Sequence, residues 1–233
     1  IRDPEMSRGL GDVYKRQVVY NGMAWPKTTP VEVFEGGKNG QPIKNATTTG
    51  YYLRKYVNNS VTFEPGETTT SQQHNWILFR YAEILLNYAE AVFERDGAIS
   101  DEDLNLSLNL VRCRINTKMP KLTNAFASTH DLDMRTEIRR ERTIELFNEG
   151  FRIDDLKRWK TAETEMPQDF LGIRWTGTEF QNKWPGVTNE RNSDGFIILE
   201  SGRKWEDKHY LYPLPTDQLQ LNPNLKQNPG WGE

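Results

Sequence analysis

Residues 137–159 read EIRRERTIELFNEGFRIDDLKRW, and no other stretch constrains the fold as tightly. At about 100° per residue, a helix through this region puts Met134 and Ile138 on one face with Glu141, Arg142 and Glu145. Ile144, Phe147 and Phe151 lie nearly opposite. A helix that is apolar on two sides is contacted on two sides. Charges on the Ile138 face are then withdrawn from water and must find partners. Arg142 reaches Glu145 at i+3, and Asp154 reaches Arg158 at i+4. The expectation is a multi-helix structure in which Glu141, Arg142, Glu145, Arg152, Asp155 and Arg158 form structural ion pairs between helices or onto loops. The competing reading is a solvated face carrying the same charges.

The rest of the chain supplies the helices against which such a segment packs. Residues 76–95 carry Leu78, Ala82, Leu85, Ala89 and Val92 at helical spacing, with Phe79, Leu86 and Phe93 widening the stripe. Arg80, Glu83, Asn87, Glu90 and Glu94 recur on the other side, and Gly97 closes the helix. A second helix is expected over 101–115, opened by Ser100 and Asp103 in a capping-box-like start, with Leu104, Leu108, Val111 and Ile115 as its stripe. The short connection implies an antiparallel pair. A third helix is expected over 131–149, ended or bent by Gly150, and a shorter one near 152–161.

Between and around these helices the composition turns to loops. Residues 18–75 are rich in Thr, Gly, Asn and Pro, with YYLRKYV (51–57) as a short strand. Residues 164–209 read as a long ordered insertion with at most a small hairpin through FIILES. The tail runs extended, with one short helix over 217–221 capped by Thr216. The opening IRDPEMSRGLGDVYKRQ has neither helical nor strand period, and GDVYKRQ resembles translated adapter sequence. Residues 1–17 are therefore expected to be a non-native or disordered leader ahead of a single domain over 18–233.

Composition excludes several classes of function. The net charge of −3 gives no electrostatic attraction for nucleic acid or anionic lipid. No apolar run approaches the length of a membrane span. The single cysteine, Cys113, allows no intrachain disulfide. His74, His130 and His209 match no metal-ligand spacing, and no cofactor motif occurs.

Four segments, RYAEILLNYAEA (80–91), LNLVRCRIN (108–116), IRRERTIELFNEGFRIDDLKRW (138–159) and YLYPLPTDQLQLNPNLKQNPGW (210–231), in this order and spacing resemble the C-terminal part of the SusD/RagB family of nutrient-binding outer-membrane lipoproteins of Bacteroidota. The resemblance implies a mainly α, SusD-like fold with tetratricopeptide-like helix pairs and long irregular loops. It implies that 18–233 is the C-terminal part of such a domain, with the N-terminal half and its lipidated cysteine absent. It further implies a place on the extracellular face of the outer membrane, anchored by that lipid. There the protein would act with a SusC-type TonB-dependent transporter that imports oligosaccharide or, in some members, peptide. Family members are not enzymes. Their ligand residues vary, so no binding motif carries across.

Ligand candidates therefore come from the residues themselves. Sugar faces stack on aromatic rings, and sugar hydroxyls bond to polar side chains. Trp25, beside Pro26 in a loop and close to Tyr20 and Asn21, is the leading candidate platform, against the alternative that Trp25 packs in a core. Trp175 and Trp184 are weaker candidates, while Trp159 and Trp231 fall inside scaffold motifs. A glycoside hydrolase would need two carboxylates across a cleft, and with 33 acidic residues the presence of pairs has no specificity. A helical-repeat scaffold for protein partners would continue its helix pairs to the end of the chain, whereas this chain turns irregular after residue 160.

Overall fold

The computed structural model describes residues 17–25, 30–34, 36–58, 60–62, 77–114, 119–174 and 191–232. The helical part starts with α1 (Tyr81–Asp96), which ends on Gly97 at φ 69°, whose N–H donates to the Phe93 carbonyl at 2.8 Å. Ala82, Leu85, Leu86, Ala89 and Val92 are buried along one face of α1. Leu78 and Phe79 do not join that face. They precede the first helical turn and are 87% and 61% exposed, because the helix begins five residues later than the apolar pattern suggests.

The second helix is two pieces, α2 (Asp101–Leu106) and α3 (Leu108–Arg112). Ser100 caps α2 by accepting from the Asp103 N–H at 3.0 Å. The break falls at Ser107, whose hydroxyl donates back to the Asp103 carbonyl, the i−4 bond through which serine bends helices. Asn109 then straps the returning chain. Its Nδ2 donates to the Leu122 carbonyl at 2.8 Å, and its Oδ1 accepts from the Leu122 N–H at 2.8 Å, both bonds buried. α4 (Asn124–Thr129), capped by Thr123, has no counterpart among the expected helices. α5 (Met134–Glu145) starts on Asp133, which accepts from the Thr136 N–H at 2.8 Å. α1 packs against α5 and against the α2–α3 arm. Together these helices enclose the larger core, which includes Leu86, Leu104, Leu108, Leu122 and Ile138.

Past α5 the chain turns through Asn148 and Gly150, both at positive φ, into α6 (Arg152–Arg158) and α7 (Ala162–Glu165). A smaller core lies elsewhere, built from Val19, Met23, Trp25, Val31, Val33 and Phe34 with Ile197 from the far end of the chain. Two antiparallel ribbons border it. β1 (Val18–Val19) pairs with β2 (Tyr52–Leu53), and β3 (Phe170–Arg174) pairs with β4 (Phe196–Glu200). The strand expected over 51–57 is thus only two residues long. Gln17, placed by sequence in a loose leader, is buried, and its Nε2 donates to the Glu145 carbonyl at 3.3 Å. The rest of that leader, together with Trp175 and Trp184, lies outside the described residues. A 3₁₀ turn (Asp207–Tyr210) and α8 (Thr216–Leu221) carry the tail.

Candidate functional site

The charged face of α5 is built into the helix packing. Arg142, 5% exposed, donates from Nε to Asp155 at 2.8 Å and from Nη1 to Asn87 of α1 at 2.7 Å. Asp155 uses its other oxygen to accept from Arg158 Nε at 2.8 Å. Arg158 turns its Nη2 to Glu90 at 2.7 Å, and Glu90 also accepts from the Trp159 indole N–H at 2.6 Å. This chain of contacts ties α1, α5 and α6 together. Glu141 pairs with the buried Arg112 of α3, whose Nε donates to the Pro120 carbonyl at 2.8 Å. Glu145 accepts from Arg114 at 3.0 Å and from Arg80, and Arg80 also reaches Glu149 at 2.7 Å. Lys55 joins the same group through Glu149 and through the Glu145 and Phe147 carbonyls at 3.0 and 2.9 Å.

The partners differ from those that local spacing suggests. Arg142 bonds Asp155 instead of Glu145, and Arg158 bonds Asp155 instead of Asp154. Arg152 is exposed, touching Thr143 at 3.0 Å and Glu165 at 3.5 Å, and belongs to no buried pair among the described residues. Phe147 is 39% exposed, so the second apolar side of α5 is only partly covered.

Environment sets the titration of these carboxylates. Burial pushes Glu90 upward, but hydrogen bonds from Arg158 and Trp159 outweigh it and hold the carboxyl below its ordinary range. Glu149 is likewise pushed up by burial and drawn lower by Arg80 and Lys55. Burial raises Glu141, with Arg112 opposing.

Trp25 is not a surface platform. It is 1% exposed within the smaller core, its indole N–H donates to the Val61 carbonyl at 2.6 Å, and Arg54 lies 5.3 Å from its ring centroid. The adjacent Pro26 points to an exposed loop, but Trp25 shares a buried cluster with Val19, Val31 and Val33. Tyr20 packs at the margin of that core, and the Asn21 side-chain Oδ1 accepts from the Val33 N–H at 3.1 Å. Of the three expected ligand residues, Trp25 is buried, while Tyr20 and Asn21 are half-buried.

A cleft of about 700 Å³ opens instead between α6 and the tail. Asp154, Lys157, Arg158 and Lys160 form one wall, and Lys208, Tyr210 and Leu211 form part of the other. The tail wall is held by side-chain clamps. Gln227 bonds both backbone groups of Leu214, at 2.8 and 3.0 Å, and the Trp231 indole donates to the Lys208 and Leu211 carbonyls at 3.0 and 2.9 Å. His209 accepts from the Glu206 N–H at 2.9 Å, a capping role. The Lys157 and Lys160 ammonium groups lie 3.7 and 3.6 Å from the ring centroids of Tyr212 and Tyr210. The Tyr210 hydroxyl is buried with no hydrogen-bond partner among the described residues. Sequence reasoning missed this site because it joins residues some fifty positions apart in two segments read as scaffold.

The family model described as the SusD family matches residues 13–231. A SusD-like carbohydrate-binding protein of Bacteroides fragilis is 26% identical, with a TM-score of 0.72 over 97% of this chain and 44% of its own. A SusD-like protein of the same species is 27% identical, with a TM-score of 0.65 over 92% of this chain and 38% of its own. The chain thus spans less than half the length of these solved relatives. No curated protein matches it.

Proposed function

The chain belongs to the SusD family, and from that membership we propose that it binds glycan at the bacterial surface and passes it to a partner transporter of the outer membrane. The observation that carries this reading is the match over residues 13–231, together with the likeness to a solved SusD-like protein described as carbohydrate-binding. Family membership also supports a lipid-anchored position on the outer face of the outer membrane and a SusC-type TonB-dependent partner. The protein works by binding alone: the buried carboxylates are engaged by arginines that hold helices together, which is a structural use and not that of an acid–base pair across a cleft.

Affinity electrophoresis through gels containing single polysaccharides tests this. At least one polysaccharide should retard the protein, and oligosaccharides incubated with it should keep their chain lengths. Retardation by none, with retention by peptides instead, would replace glycan by peptide as the cargo. Turnover abolished by substituting one carboxylate would overturn the binding reading.

A further inference from the structure

We propose that the cleft between α6 and the tail is a subsite for acidic sugars, where the ammonium groups of Lys157 and Lys160 pair with the carboxylate or sulfate groups of an anionic glycan. The proposal rests on the glycan-binding reading above and adds the charge class of the ligand.

The first argument is how the cations of this region are used. Arg80, Arg112, Arg142 and Arg158 are each matched to carboxylates, and Lys208 reaches Glu206 at 3.0 Å. Lys157 and Lys160 have no carboxylate within ion-pair distance among the described residues. Each lies over a tyrosine ring. A cation over a ring is held weakly when exposed, whereas a charge-assisted hydrogen bond to an anion is among the stronger contacts available. An arriving anion therefore gains two donors that no acceptor has claimed. Asp154 and Asp207 also line the cleft, and Arg158 and Lys208 on its walls are already paired with Glu90, Asp155 and Glu206, so the donors left for an anion are Lys157 and Lys160. The Asp154 and Asp207 carboxylates are suited to sugar hydroxyls, which donate to them.

The second argument is size. A volume of about 700 Å³ lies within the range of small-ligand sites, roughly 300–1,000 Å³. The third argument is the backbone at Lys160. It occupies the C′ position of α6 at φ 55°, with its own N–H bonded to the Lys157 carbonyl and the Thr161 N–H bonded to the Leu156 carbonyl, both at 3.1 Å. That double bond pattern closes a helix most easily on glycine. A lysine there is held in a conformation that L side chains seldom adopt, against local preference.

Calorimetric titration of oligogalacturonate against its methyl-esterified form, and of a sulfated galactan oligosaccharide against its desulfated form, tests the proposal and separates carboxylate from sulfate. One charged member should bind about tenfold or more tightly than its uncharged counterpart, and added salt should erode the difference. The pair Lys157→Gln and Lys160→Gly should abolish that preference and leave uncharged binding in place. Lys160→Gly relieves the left-handed backbone, so an unchanged or raised Tm shows that the loss is not misfolding. Equal binding of charged and uncharged forms, or a preference that survives both substitutions, overturns the proposal while the glycan reading stands. Equal competition by polyglutamate also overturns it, since the cleft would then be a general anion patch. Failure of every glycan to bind, charged or not, removes the underlying reading and the subsite with it.

Discussion

At the scale of single residues, the charges of this chain are decided by where their partners lie. Glu90 reads from sequence as one of the polar residues on the outer side of α1, yet it is 6% exposed and joined to Arg158 and Trp159 almost seventy residues on. Its carboxyl is held below the ordinary range, so near pH 4.3 the unfolded chain binds a proton there that the folded chain does not. The stabilisation is present above that pH and is lost as pH falls through the lower folded value. Denaturant titrations should therefore show Glu90→Gln less stable than wild type at pH 7, with the gap closing as pH falls below the ordinary glutamate range. Arginine substitutions grade the same network. Arg112→Ala strands the buried Glu141 and should cost about 3–5 kcal/mol, whereas Arg142→Ala should cost less because Asp155 keeps Arg158. Equal losses in urea unfolding would show that the second partner contributes nothing. Of these pairings only Asp155–Arg158, three residues apart on α6, lies within the reach of spacing, which reveals only neighbours within a helix turn. The burial of Trp25 was hidden for a related reason: a tryptophan beside proline looks the same in sequence whether or not it joins a core completed by a residue as distant as Ile197.

At the scale of elements, legibility follows period. α1 announces itself because five small or aliphatic residues repeat on one face, but the same pattern cannot say where the first turn begins, and Leu78 and Phe79 fall outside it. The break at Ser107 depends on one hydroxyl choosing a carbonyl four residues back. α4 has almost no apolar period and exists because Thr123 caps it and Ala127 meets the core. The β3–β4 ribbon was anticipated as a possible hairpin, but its seat against the loop at 49–50 was not. There the Ile173 N–H donates to the Thr49 carbonyl at 2.8 Å, and Gly50 stands at φ 81° with the place of a Cβ only 2.4 Å from Ile173 Cγ2. Gly50→Ala is both strained and obstructed, and a loss of about 1–3 kcal/mol is expected from thermal melts. A melt unchanged within a degree would mean that the ribbon is free to move away.

At the scale of the whole molecule, the described residues form two cores, with a cluster of polar contacts joining them at the end of α5. Helices enclose the larger core, while the smaller draws its residues from 19–34 and from Ile197. The joint is the C-terminal end of α5. Gln17 bonds the Glu145 carbonyl, Lys55 bonds the Glu145 and Phe147 carbonyls and Glu149, and Arg80 bonds Glu145 and Glu149 from the side of α1. Helix termini expose carbonyls that need donors, and here the donors come from the neighbouring core. Lys55 is the member that bridges both sides with one ammonium. Burial lowers its pKa, although Glu149 pulls the other way. Lys55→Met should leave Glu149 paired with Arg80 and so spare the helices, while the N-terminal segment loses its strongest tether. Hydrogen exchange should then quicken in β1 and β2 and stay as slow as in wild type in α1 and α5, because regions with separate cores open separately when the contact between them is weakened. Faster exchange throughout both cores would show instead that they unfold as one unit and that the polar joint is no boundary.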